Sequence, residues 1–176
     1  DPALVLAAMR SGITECLVEP ITRADAEAAL WRVTMGGPGE PGEIFAFVGA
    51  KGGVGTTTLA VNTAVALSSA AGGTLLIDLN VAGGDAAILL GGDARFSVLD
   101  ALANTHRADE AFFRGLLTST PSGVPLLASP AAAFGSPIEP ARLRALLEFT
   151  RQRYRHVVVD VPRNGSATRE VLEAAS

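Results

Sequence analysis

The sequence predicts an α/β fold, a mostly parallel sheet with helices on both faces. Three observations point to it. A continuous β-branched run, VVVDV, ends at Val161; such runs alternate with helix-length segments; and a glycine-rich turn joins an apolar strand to a long apolar helix. Strands that are apolar throughout, rather than alternating, belong to sheets covered on both sides.

Each element follows from local pattern. Pro2 to Arg10 has helical spacing, Glu15 to Val18 is a short strand candidate, and a helix from Thr22 to about Val33 carries the stripe Ala26, Ala29, Leu30 and Val33, with Thr22 and Asp25 at its cap. MGGPGEPGE, Met35 to Glu43, has nothing apolar to bury after Met35 and reads as a linker. The expected organisation is therefore a front segment at 1–35, a linker at 36–43 and a main domain at 44–176. In the main domain, strands are expected at Ile44 to Val48, Thr74 to Leu79, Val124 to Ala128 and His156 to Val161. Between them, helices are expected at Thr57 to Ala70, near Gly84 to Leu90, and at Ser97 to Ala103, Asp109 to Leu117 and Pro140 to Arg153. The first of these is apolar on nearly every face, which implies burial all round.

Composition limits the functions available. The 176 residues are 48% hydrophobic, ample for a buried core, and no run of about 18 apolar residues or secretion leader is visible, so a cytoplasmic setting is expected. Asp1 is not a start methionine, and the sequence stops at Ser176 in a helical pattern, so the chain is read as a piece of a longer protein. Membrane contact through segments beyond it stays open. One cysteine, Cys16, and two distant histidines, His106 and His156, make a structural zinc site a poor fit. A net charge of −4 argues against nucleic acid as a partner. Arginines 142, 144, 151, 153 and 155 read first as a solvated helix face and its flank, with Leu143, Leu146, Leu147 and Thr150 buried; a surface for an acidic partner, membrane or DNA is the other reading. The chain's single lysine is Lys51, inside the glycine-rich turn, where a compact ammonium is evidently wanted.

That turn reads AKGGVGTTT from Ala50 to Thr58. In the phosphate-binding pattern G-x-x-x-x-G-K-[ST], backbone N–H groups wrap an anion at a helix N-terminus, the lysine neutralises phosphate, and the final hydroxyl binds Mg²⁺. Here Ala50 replaces the first glycine and Thr56 replaces the lysine. KGGVG, however, resembles the deviant Walker A loop of the MinD/ParA family, KGGxGK[ST]. The resemblance implies an ATP site formed by Lys51, Gly52, Gly53, Val54, Gly55, Thr56, Thr57 and Thr58, with Lys51 reaching a partner's phosphates across a nucleotide-sandwich homodimer. LLIDLNVAGGD, Leu75 to Asp85, resembles the family's switch segment, and RHVVVDVP its Walker B strand. On that basis Thr57, Asp78 and Asp160 hold Mg²⁺ and its waters, and Lys51, Asp78 and Asn80 stand at the catalytic positions. The family's second switch aspartate is Asn80 here, and Asn cannot take a proton from water. Thr56 removes a charge-assisted contact worth about 1.5 to 3 kcal/mol. Nucleotide binding with weak or absent hydrolysis is therefore expected. For Asp85 a helix N-cap is the favoured role, a substitute carboxylate the other.

The phrases GAKGGVGTTTLAVNTAVAL, LLIDLNVAGGDAAILLG, FSVLDAL, PSGVPLLASP and YRHVVVDVPR resemble the TadZ/CpaE proteins of Flp (Tad-type) pilus assembly, over Ile44 to Ser176. AAMRSGITECLVEP resembles the end of a receiver domain, with Glu19 where a true receiver has lysine before Pro20. What the resemblance implies is a deviant Walker A P-loop NTPase of SIMIBI type, preceded by the C-terminal part of an atypical receiver-like domain. Its implied role is to dimerise with ATP, take a polar position and recruit the pilus secretion machinery. The rival readings are a hydrolysing ParA-type partition ATPase on DNA or membrane, an enzyme related to the nitrogenase iron protein, which would need paired cysteines, and a scaffold without nucleotide.

Overall fold

The computed structural model describes residues 13, 17, 19–23, 26, 29, 41–71, 73–105, 109–131, 137–163 and 166–175. The elements expected at Pro2 to Arg10 and Glu15 to Val18, and most of the linker, lie outside these residues. Of the helix expected from Thr22, one turn is seen, closed by the Ala26 N–H on the Thr22 carbonyl at 3.1 Å.

In chain order the main domain runs β1 (Glu43–Val48), α1 (Thr56–Ala71), β2 (Thr74–Asp78), α2 (Ala86–Leu90), α3 (Val98–Ala103), α4 (Glu110–Leu116), β3 (Leu126–Leu127), α5 (Pro140–Arg151), β4 (His156–Val161) and α6 (Ser166–Ala174). The four strands form one sheet in the order β1-β4-β2-β3, every pair parallel. Alternation along the central strands divides the core in two. Leu75, Ile77, Val157 and Val159 face a cluster built with α3, α4, α5 and α6. Leu76 and Val158 face the opposite side, against Ala60, Val61 and Ala64 of α1.

This alternation places the site. Asp78 follows Leu76 by two residues and Asp160 follows Val158 by two, so both carboxylates project to the α1 side of the sheet. They are also register partners on neighbouring strands.

Three expectations change. Helix α1 is buried on one face only: Ala60 and Ala64 are fully covered, whereas Leu59 is 60% exposed and Asn62 is exposed. Small residues let the helix lie close to the sheet; Val61 is buried with them, Val65 and Leu67 pack at the edge of that cluster, and Leu59 and Ala66 point outward. The strand expected at Val124 to Ala128 pairs only at Leu126–Leu127. Pro125 has no N–H to give, and the Ala128 carbonyl leaves the sheet to accept from the Val98 N–H at 2.7 Å. Strand β1 starts one residue earlier than expected, because the Glu43 N–H donates to the Arg155 carbonyl at 3.0 Å.

Helix α5 buries Leu143, Leu146, Leu147 and Thr150, as its spacing predicts. Its arginines are engaged, Arg142 with Glu139 at 2.6 Å, Arg144 with Glu170 of α6 and Arg151 with Glu148 at 3.5 Å, and just past its end Arg153 lies over the Phe149 ring at 3.6 Å. That is the solvated-face reading. Among the described residues no helix is long and apolar enough to cross a membrane.

Leu76 is fully buried between α1 and the sheet. Leu76→Ala is expected to lower unfolding stability by about 2 to 5 kcal/mol. In urea titration the midpoint should fall with the slope unchanged.

Candidate functional site

The loop from Gly49 to Gly55 leaves the C-terminal end of β1 and opens α1. Its shape needs glycine at two positions, Gly53 (φ +74°) and Gly55 (φ +83°), a left-handed backbone that side chains rarely adopt. A Cβ placed on Gly52, Gly53 or Gly55 would meet no atom within 4 Å, so these residues line an open concavity rather than a packed turn. The first helical bond of α1 is the Leu59 N–H on the Gly55 carbonyl at 2.9 Å. The N–H groups of Thr56, Thr57 and Thr58 are thus first-turn donors, which helical bonding leaves for an anion.

A cleft of about 480 Å³ opens over this loop. Its wall includes Lys51, the three glycines, Val54, the three threonines, Asn80, Asp85, Asp160 and Arg163. Lys51 is exposed. The Thr56 hydroxyl lies back over Gly49, where any Cβ would strike it.

Beneath the loop lies a closed polar network. The Thr57 hydroxyl donates to Asp160 Oδ2 at 2.6 Å. The Asn80 side-chain amide donates to the same oxygen at 2.8 Å and to Asp78 Oδ1 at 3.1 Å. Asp78 Oδ1 also accepts the Asn80 backbone N–H at 2.9 Å, and its Oδ2 accepts the Ala86 N–H at 3.3 Å. Asp78 is fully buried and Asp160 is 1% exposed. Burial pushes the Asp160 carboxyl above the usual carboxylate range, and the charge of Asp78 adds to this; the hydrogen bonds from Thr57 and Asn80 oppose it.

The sequence-predicted residues therefore fall into two groups. Lys51, Gly52, Gly53, Val54, Gly55, Thr56, Thr57, Thr58, Asn80 and Asp160 meet in the cleft wall. Asp78 does not: it sits behind Asn80, with its oxygens taken by Asn80 and by the start of α2.

Asp85 departs from the favoured expectation. It occupies the N-cap position of α2 but its side chain makes no capping bond, because its backbone (φ −105°, ψ 1°) is not the extended one that aims a cap. Asp78 reaches the first N–H of α2 instead, and Asp85 is exposed in the cleft wall. Two participants were missed. Ser129 is one: its hydroxyl accepts the Gly84 N–H at 3.1 Å and donates to the Gly84 carbonyl at 3.2 Å, which holds the switch loop. Arg163 is the other, and its position just past the Asp160 strand was the available signal.

The donor set suits Mg²⁺, which takes one or two protein oxygens and keeps waters and phosphate oxygens for the rest. A hydroxyl and a carboxylate already within 2.6 Å of each other at the cleft floor fit that need. Among the described residues there is no cluster of three or more His, Cys, Asp or Glu that would hold an ion by itself.

With this geometry, the chain is an α/β P-loop protein of the ParA/MinD fold type, and over residues 42–176 it belongs to the AAA_31 family, described as an AAA domain. It is similar in structure to a ParA family ATPase from Chlorobium tepidum TLS, with 26% identity and a TM-score of 0.68 over 77% of this chain and 57% of that one. It is similar to cobyrinic acid a,c-diamide synthase from Mycobacterium smegmatis, solved with an ATP analogue and magnesium, with 26% identity and a TM-score of 0.61 over 76% and 57%. A third similar structure is the MinC:MinD cell division protein complex of Aquifex aeolicus, with 25% identity and a TM-score of 0.57 over 76% and 53%. The chain spans little more than half the length of these proteins. No curated protein matches its sequence.

Asn80 holds two carboxylates together through its amide. Asn80→Asp replaces those donors by a third negative charge, and is expected to cost about 1 to 3 kcal/mol in chelator. Melting should show the loss in EDTA and its recovery in millimolar Mg²⁺; equal melting temperatures for both proteins in EDTA would contradict the clamp.

Proposed function

We propose that the protein binds MgATP in this cleft, dimerises in the nucleotide-bound state, and hydrolyses ATP slowly or not at all. The observation that carries the reading is the glycine-lined cradle whose first-turn hydroxyl, Thr57, already touches Asp160. Lys51 and the first-turn N–H groups would take the phosphates; Thr57 and Asp160 would hold Mg²⁺, which when bound spreads phosphate charge. Asp78 orients rather than ligates: through Asn80 it fixes Asp160, and through Ala86 it fixes the loop that carries Asp85.

Two features favour weak turnover. Thr56 brings no positive charge to the loop. Asn80 has its amide donors committed to the two aspartates and is no base. A bound but unspent nucleotide suits a protein that signals by assembly. Together with the sequence phrases that resemble TadZ/CpaE proteins, this supports a role in Flp pilus assembly, in which the nucleotide-bound homodimer takes a position at the cell pole or at the inner face of the membrane and recruits the secretion machinery.

Calorimetric titration of MgATP into the full-length protein, with phosphate release followed on the same samples, tests this. Binding is expected, weakened about ten- to hundredfold by Lys51→Ala, which removes a charge-assisted contact, with no appreciable release. Robust release would place the protein among hydrolysing ParA-type ATPases instead.

A further inference from the structure

The cleft contains a second cation. Val48 of β1 pairs in register with Val161 of β4, so two residues further on Ala50 and Arg163 stand side by side. The Arg163 Nη1 donates to the Ala50 carbonyl at 3.4 Å and its side chain lines the same cleft as Lys51. The exposed guanidinium thus lies at the mouth of the glycine loop, reaching it from a different element. That bond uses one of its five N–H donors.

Charge in the cleft wall gives the residue its importance. Among the described residues, Lys51 and Arg163 are its cationic groups, Asp85 and Asp160 its anionic ones. Asp160 is committed to Mg²⁺ in the reading above, so without Arg163 the single side-chain cation of the described wall would be Lys51, because the loop position that supplies a lysine in the phosphate-binding pattern is Thr56. We infer that Arg163 is a phosphate-binding residue of this chain and supplies the positive charge that Thr56 does not. A planar guanidinium suits this, since it pairs phosphate oxygens two at a time. The inference rests on the nucleotide reading above.

The test is calorimetric binding of MgATP to the full-length protein and to Arg163→Ala, Arg163→Gln, Arg163→Lys and the double variant Arg163→Ala with Thr56→Lys. Loss of Arg163 to Ala or Gln should weaken binding about tenfold or more, equivalent to about 1.4 kcal/mol. Lysine at 163 should recover part of the affinity, and lysine at 56 should restore it within a few-fold in the Ala background, because either returns a cation to the same cleft. Gln keeps a donor for the Ala50 carbonyl, so wild-type affinity with Gln would assign the effect to loop positioning and overturn the charge role. Wild-type affinity with Ala would overturn the inference outright while leaving the nucleotide reading intact. If the unaltered protein binds no MgATP at millimolar concentration, the nucleotide reading fails, and the inference with it.

Discussion

Two carboxylates buried side by side at the ends of β2 and β4 are the constraint on which the remainder of the site depends. Asp78 and Asp160 are register partners on adjacent strands, both at 1% exposure or less. Such a pair is costly unless every oxygen is satisfied. The surrounding chain supplies donors to both Asp78 oxygens and to Asp160 Oδ2: Thr57 donates from α1, Asn80 donates to both residues, and Ala86 donates from α2. Gly84 must be glycine, because a Cβ there would collide with the Asp78 carboxylate and the Ser129 hydroxyl. The switch loop, the start of α2 and the seating of α1 are therefore set by the same few hydrogen bonds.

A cation is the natural complement to this arrangement. Burial and the neighbouring charge both raise the Asp160 carboxyl, and only two side-chain donors oppose them. Where Asn80 stands, an aspartate would leave three carboxylates facing one another and a stronger demand for metal. Asn80 and Thr56 thus act in the same direction: one reduces the need for cation in the resting site, the other reduces the positive charge offered to phosphate.

Much of this was legible in the sequence, for identifiable reasons. The strand VVVDV and the glycine loop are local patterns, so β4, the β1–α1 turn and the placement of Asp160 follow from them; the stripe on α5 is equally local, and all four of its buried residues fall where its spacing puts them. What was not legible depends on distant contacts. The exposed face of α1 could not be told from a buried one, because Leu59 is apolar on either side. Strand β3 is short because Pro125 has no N–H to give and the Ala128 carbonyl is taken by the Val98 N–H. Asp85 lost its capping role to Asp78, which accepts the Ala86 N–H from eight residues back in the chain. Arg163 entered the cleft only through the pairing of β1 with β4.

The most direct test is a crystal structure of the full-length protein with a non-hydrolysable MgATP analogue. The phosphate chain should lie against the N–H groups at the start of α1, with Mg²⁺ about 2.0 to 2.1 Å from the Thr57 hydroxyl and the Thr57–Asp160 bond opened to admit it. An analogue bound elsewhere, or a Thr57–Asp160 bond unchanged beneath an unliganded loop, would contradict the account.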